Sequence, residues 1–185
     1  AYFCTPAESD RLAETIFLGR RAMDPERVGQ SPYVLAERSG FSIPPRTRCL
    51  VSEESEIGWH RPLSAEKLNP VLAFYEARDS DHGIALAQQI SRFEGWGHSS
   101  VVHSNDPSIV AKFSSIPTGR VLVNTPAIIG GMGYSTDLEP SFMLGTGTWS
   151  GSITSDNVTA LHLINIKRVA YQNRPWRDMY EEYAE

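Results

Sequence analysis

The sequence predicts an α/β fold in which a parallel sheet is flanked by helices. Three observations predict it. Short apolar runs at Val71 to Tyr75, Ser99 to Val102 and Val121 to Val123 lie inside the stretch from Glu66 to Pro126. Two segments of helical character separate them, one carrying Ile84, Ala87 and Ile90, the other Val110, Ala111 and Phe113. The order strand, helix, strand, helix, strand is that of right-handed parallel βαβ units. Ligands of such sheets bind at the carboxyl ends of the strands. The polar residues expected there are His98 and the Asn124-Thr125-Pro126 turn.

The elements follow in chain order. Thr5-Pro6-Ala7-Glu8 starts a helix: Thr5 caps, Pro6 takes the first position and Glu8 closes a capping box. Leu12, Ala13, Ile16 and Phe17 then recur at helical spacing, and Arg20-Arg21 ends the helix near Gly19. Ser31-Pro32 is a second cap–proline start, and its helix runs through Val34, Leu35 and Ala36 to stop at Gly40. Ile43-Pro44-Pro45 is a rigid linker, and Arg48 to Val51 reads as a strand containing Cys49. Glu53 to Pro62 is polar and reads as a surface loop; Val71 to Glu76 reads as a buried strand. Asp79 or Ser80 caps the next helix, Gly95 and Gly97 close it, and Ser99 to His103 form a strand. Asn105-Asp106-Pro107 opens another helix, and Gly119 leads into a strand from Arg120 to Asn124. Thr125 to Gly151 is rich in Gly, Ser and Thr with little periodicity, and loops of that length are usually functional. His162 to Val169 alternates weakly, with Ile164 and Ile166 on one face, and reads as a strand near the domain surface. The tail after Asn173 carries Trp176, Tyr180 and Tyr183 among charges, which predicts a short helix or an extended arm.

Composition narrows the function. The 185 residues suffice for one domain with a full core. Hydrophobic residues at 41% and charged residues at 21% are ordinary for a soluble globular protein. A net charge of −5 without a basic stripe argues against nucleic acid, and no basic amphipathic helix points to a membrane surface. No apolar run approaches the roughly 20 residues needed to span a bilayer. The chain opens at Ala1 rather than methionine and shows no signal peptide, so further residues are expected before it. Two cysteines make no disulfide framework and suit a reducing cytoplasm.

Few residues carry chemistry by themselves. Cys4 stands just before a helix, where a thiol pKa can fall; Cys49 sits in strand-like sequence and reads as a small core hydrophobe. His98 follows Gly97 at a strand start and is either an acid–base group or a buried imidazole bound to backbone. Asn124 and Thr125 either line a substrate mouth or close an Asx-type turn. Gly130, Gly131 and Gly133 resemble a phosphate-cradling loop, a weak signal without a following helix. Trp149 either stacks on a ligand or packs. No histidine pair has metal-ligand spacing backed by cysteine or carboxylate, so no metal site is expected.

Five pieces in order resemble one family. They are EKLNPVL at Glu66–Leu72, GHSS at Gly97–Ser100, LVNTPA at Leu122–Ala127, LGTGTWSG at Leu144–Gly151, and SDNV followed by HLINI at Ser155–Ile166. Together they resemble the catalytic domain of CoA-acylating aldehyde dehydrogenases over most of the chain. The nearest groups are the aldehyde halves of bifunctional aldehyde–alcohol dehydrogenases and the acylating succinate-semialdehyde enzymes. Thr146 and Ser150 depart from the pattern, which has Cys and Gly there.

The resemblance implies an oxidoreductase that interconverts a short aldehyde and its acyl-CoA through a cysteine thioester, with NAD or NADP as cofactor and coenzyme A as co-substrate. It implies that Glu66 holds the nicotinamide ribose and that Leu68 packs beside the nicotinamide. His98 then polarises the substrate or holds coenzyme A, with Asn124 and Thr125 as further candidates on that side. It also places the nucleophile upstream of Tyr2-Phe3, outside this chain, which leaves Cys4 an inert thiol. Residues 1–173 are then the C-terminal portion of the catalytic domain and 174–185 a tail. The dinucleotide-binding domain is absent, since no GxGxxG-type turn occurs. The isolated chain is expected to be inactive, cytoplasmic and homo-oligomeric through residues 162–183. The competing expectation is a truncated, non-catalytic domain that serves assembly or regulation.

Overall fold

The computed structural model describes residues 1–19 and 21–177. Its core is built by the first seventy residues. Strand β1 (Tyr2–Phe3) leads into helix α1 (Pro6–Ile16), which starts as expected: Thr5 accepts from the Glu8 N–H while the Glu8 carboxylate accepts from the Thr5 N–H. Leu12, Ala13 and Ile16 turn one face of α1 onto Leu35, Leu50, Leu63 and Val71, all buried. Leu35 belongs to helix α2 (Pro32–Arg38), capped by Ser31 and left through Gly40 at a φ of 74°. Phe17–Leu18 (β2) and Ala22–Met23 (β3) form a small antiparallel hairpin that the sequence did not signal. Helix α1 therefore ends earlier than expected, and Arg20, half of its expected stop signal, lies outside the described residues.

The sheet is divided. Strands β4 (Leu50–Glu53) and β5 (Val71–Phe74) join β1 in a three-stranded parallel sheet of order β1-β4-β5. Helix α3 (Ser80–Glu94) then carries the chain to a second parallel pair, β6 (Gly97–Val102) and β7 (Thr118–Val123), linked by helix α4 (Pro107–Phe113). The three apolar runs thus fall in two sheets rather than one. The expected strand at Arg48 to Val51 begins two residues later, and Cys49 precedes it. The run at β5 is not buried throughout: Val71 is 3% exposed, but Leu72 and Phe74 face outward at 54% and 47%. Four successive apolar residues mimic a strand covered on both faces; the alternating pleat of β5 puts two of them on an open one.

Two further expectations change. The polar stretch after β4 hides a buried charge, because Glu54 turns inward to accept from Ser52 Oγ at 2.7 Å and from Arg61 Nε at 2.8 Å. His162 to Val169 is not a strand here: Ala160–Leu163 is a 3-10 turn and the residues after it are irregular. A strand needs a neighbour for its N–H and C=O groups, and no ladder partner faces this segment among the described residues. Helix α5 (Ala127–Gly131) and a 3-10 turn at Thr148–Ser150 break up the long glycine-rich stretch. No helix among the described residues is long and apolar enough to cross a membrane.

Candidate functional site

Between the Pro62–Ser64 turn and β5 the chain bends at Ala65 and again over residues 68–70. Leu63, Ser64 and Ala65 are buried, Glu66 is exposed, Lys67 is half-buried, and Leu68 is 57% exposed. The turn that Asn69 N–H closes on the Lys67 carbonyl at 2.8 Å carries Leu68 toward Met23, whose Sδ accepts from the Leu68 N–H at 3.4 Å, while the Lys67 stem lies inward. Lys67 Nζ donates to the Ala65 carbonyl at 2.9 Å and to the Leu63 carbonyl. Burial pulls its pKa down to about 8, with Glu54 opposing the shift.

Across from this segment stands His98, at the amino end of β6. Its N–H donates to the Gly95 carbonyl at 3.0 Å, and its exposed ring faces a cleft of about 290 Å³ shared with Glu66, Lys67, Tyr75 and Glu94. Two of the motifs, some thirty residues apart in sequence, thus meet on one cleft. Gly97 makes the approach possible: its φ is 82°, and a Cβ there would lie 2.4 Å from the Thr146 carbonyl oxygen. That contact brings in the loop 144–156. Trp149 packs edge-on against Trp96 at 5.7 Å between ring centroids, so it is engaged by protein rather than open on both faces.

The loop is fastened by Arg120 of β7, a residue the sequence reading passed over. The residue is 8% exposed, and its guanidinium donates to Ser99 Oγ at 3.3 Å, Gly145 O at 3.0 Å and Ser155 O at 2.7 Å. Burial lowers its pKa, with Asp156 opposing. Only the buried phase of β7, shared with Leu122, signals this in the sequence.

Asn124 and Thr125 lie elsewhere. Asn124 follows the carboxyl end of β7, whereas His98 begins β6, and the strand length between them is roughly 15 Å at about 3.3 Å per residue. His98 is therefore not at a carboxyl end, as the sheet rule had placed it. Asn124 adopts a φ of 55°; its side chain accepts from the Ser104 N–H and donates to the Ser104 carbonyl, both at 3.0 Å. That clip ties the loop after β6 to the end of β7. Thr125 is buried, shares a 2.6 Å hydrogen bond with Ser135, and packs so closely on Gly130 that a Cβ there would meet its methyl at 2.4 Å. Gly130 and Gly131 lie within α5, itself only a five-residue helix.

The carboxyl ends of β4 and β5 do enclose a hollow of about 420 Å³, lined by Glu53, Glu54, Tyr75, Glu76 and His82. Burial and then Glu54 push the Tyr75 phenol up to about 12. Both cysteines are free. Cys4 lies in the core, and its thiol is pushed up to about 11 by burial and then by Glu8, with a hydrogen bond to Val51 opposing. A thiol held there is protonated at neutral pH and is a poor nucleophile. Among the described residues, no group of three or more His, Cys, Asp or Glu is placed to hold a metal ion.

No protein-family model matches the chain. It is 37% identical over 177 residues to the bifunctional aldehyde-alcohol dehydrogenase AdhE of Escherichia coli (strain K12), covering 91% of this chain and 20% of that protein. It is 31% identical over 157 residues to the acetylating succinate-semialdehyde dehydrogenase of Clostridium kluyveri, covering 84% and 35%. Among solved structures, an acetylating aldehyde dehydrogenase from Geobacillus thermoglucosidasius superposes with a TM-score of 0.88 at 38% identity, over 94% of this chain and 38% of that one. The chain thus spans about a fifth to two fifths of the proteins it matches.

Proposed function

We propose that this chain, whose homologues are the acylating aldehyde dehydrogenases, forms part of an oxidoreductase that interconverts a short-chain aldehyde and its acyl-CoA, with NAD or NADP as cofactor. The observation that supports this most directly is the meeting of Glu66 and His98, from two separate motifs, on one cleft. In this reading the Glu66 carboxylate accepts hydrogen bonds from the nicotinamide ribose diol, and Leu68 packs beside the nicotinamide ring. His98 faces the aldehyde or coenzyme A from across the cleft. The nucleotide, when bound, supplies hydride transfer. Asn124 and Thr125 serve by fastening the far end of the same strand pair. The described residues offer no reactive thiolate for the thioester step: Cys4 stays protonated in the core, and Cys49 does not line the cleft. The chain by itself is therefore inert. It works in the cytoplasm, where its free thiols persist.

The test is a chimera in which this chain replaces the matching portion of the Geobacillus enzyme. The chimera is expected to reduce the nicotinamide nucleotide with acetaldehyde only when coenzyme A is present, while the isolated chain does nothing. In the chimera, Glu66→Gln should raise the nucleotide KM about tenfold or more, since losing a charged acceptor costs roughly 1.5–3 kcal/mol. An unchanged KM would return Glu66 to the status of a solvated surface carboxylate. A second reading, a non-catalytic domain for assembly or regulation, is favoured by the buried Cys4 thiol; a folded but inert chimera would promote it.

Self-association belongs to the same proposal. Leu163, Ile164 and Ile166 are 84%, 56% and 50% exposed, and Ile164 holds extended backbone at φ −106° and ψ 144°. A second copy can cover these side chains and pair the extended backbone. The expected segment, 162–183, runs beyond the described residues, and Tyr180 and Tyr183 lie outside them. Light scattering should show a dimer or larger species that Ile164→Lys disperses; a chain that stays monomeric at high micromolar concentration would sink the idea.

A further inference from the structure

We propose that Lys67 is a positioning residue: its ammonium group clasps the backbone on the near side of Glu66 and so fixes the direction in which the Glu66 carboxylate faces the cleft. The inference rests on the reading of Glu66 as a ribose ligand. Lys67 Nζ reaches back to the carbonyls of Ala65 and Leu63, two and four residues earlier. With the backbone from 65 to 67 it closes a ring, and residue 66 lies inside that ring. The backbone of Glu66 is then held from both sides, by buried Ala65 before it and by the inward Lys67 stem after it.

The next residues are pinned as well. Asn69 N–H donates to the Lys67 carbonyl at 2.8 Å, and Leu68 O accepts from Gly29 N–H at 2.8 Å. The Glu66 side chain is left to face the cleft.

The choice of lysine needs a reason, because a half-buried ammonium is costly. A methionine would fill the same space without a desolvation penalty. What it cannot do is donate to the two carbonyls at the end of the Pro62–Ser64 turn. Both acceptors of Lys67 are neutral, so its charge is not spent on a local ion pair. The titratable groups around it are Glu54, whose field favours the ammonium, and Glu66, Tyr75, Glu94 and His98 on the cleft. Burial outweighs them, and the amine is pulled down to about 8.

The experiment uses Lys67→Met and Lys67→Arg in the chimera described above, with Glu66→Gln as the reference. Lys67→Met should raise the nucleotide KM by roughly tenfold, leave the coenzyme A KM unchanged and hold kcat within about twofold. Lys67→Arg, which keeps donors on a long stem, should restore most of the loss. A purely structural lysine would instead lower kcat and every KM-dependent rate together, or lower thermal stability alone. Amide hydrogen exchange on the full 185-residue chain supplies an independent reading. Lys67→Met should speed exchange at Asn69 and at the residues from 64 to 68 relative to the core of α1. Unchanged exchange there overturns the clasp. Faster exchange with an unchanged nucleotide KM overturns the positioning role, provided Glu66→Gln does raise that KM. If Glu66→Gln is silent too, the ribose reading has failed, and the positioning role falls with it.

Discussion

Arg120→Met is expected to destabilise the chain by roughly 1–3 kcal/mol and to release the loop from 144 to 156. The residue is 8% exposed, and its guanidinium joins three acceptors that lie 21 to 35 residues away in sequence. Methionine keeps much of the stem and donates nothing. Two carbonyls, of Gly145 and Ser155, then lose a charged donor; water can replace it at the exposed Ser155, and the half-buried Gly145 carbonyl carries most of the cost of about 1–3 kcal/mol. Packing beyond the hydrogen bonds depends on the same anchor. Gly97 is close-packed on the Thr146 carbonyl, and Trp149 on Trp96. Release of the loop therefore bares Trp96 and the amino end of β6, where His98 begins the cleft. Urea unfolding followed by tryptophan fluorescence should show a lower midpoint and a red-shifted folded baseline. Arg120→Lys should recover only part of the loss, because one ammonium cannot reproduce a planar fork spread over three acceptors. A variant within 1 kcal/mol of the parent, with its emission unchanged, would show that the loop is held by something else.

Arg120 also marks the boundary of what the sequence discloses. Local signals were legible. The Thr5-Pro6-Ala7-Glu8 capping box forms as written, and Ser31-Pro32 and Asp106-Pro107 open helices at the expected residues. The apolar runs became β5, β6 and β7 with small shifts at their ends. What could not be read was pairing. Whether β5 joins β6 or β4 depends on hydrogen bonds between residues about twenty apart, and four apolar residues in a row look alike in either arrangement. The same limit hid Glu54, whose burial depends on Arg61 and Ser52 closing around it, and it hid Arg120. His162 to Val169 illustrates the converse: its sequence has strand character, and an unpaired strand makes no ladder. In the site, two motif residues, Glu66 and His98, meet on one cleft, which no periodicity argument could have foreseen, while Leu68 lies off it. It did not foresee that Asn124 and Thr125 close the opposite end of the strand pair, because a strand's two ends look equally polar in sequence.

The second large effect concerns alkaline stability, and Cys4 sets its sign. The folded chain holds the Cys4 thiol at about 11 against an ordinary value of 9.0. Between those values the folded state keeps a proton that the unfolded chain has released. The stabilisation this represents is complete below pH 9 and is lost as pH rises to 11, at about 1.4 kcal/mol per unit, or about 2–3 kcal/mol in all. Tyr75 acts in the same direction at higher pH, being held at about 12 against 10.0. Lys67 acts oppositely. Its amine is held at about 8 against 10.5, so the unfolded chain binds more protons between those values, and stability rises with pH across that window. The three together predict a gentle rise from pH 8 to 9, a plateau from 9 to 10 where Lys67 and Cys4 offset each other, and a steep fall above 10.5. Cys4→Ala removes one limb. Its stability should keep rising to about pH 10 and then fall less steeply, so that the gap between variant and parent changes by about 2–3 kcal/mol from pH 8.5 to 11. Urea midpoints measured across that range for both proteins give this difference directly. The general repulsion of a chain that grows more negative cancels in it. Two curves that stay parallel would mean that the Cys4 thiol titrates alike in the folded and unfolded chains, and that the core around Leu12 and Leu50 does not shield it.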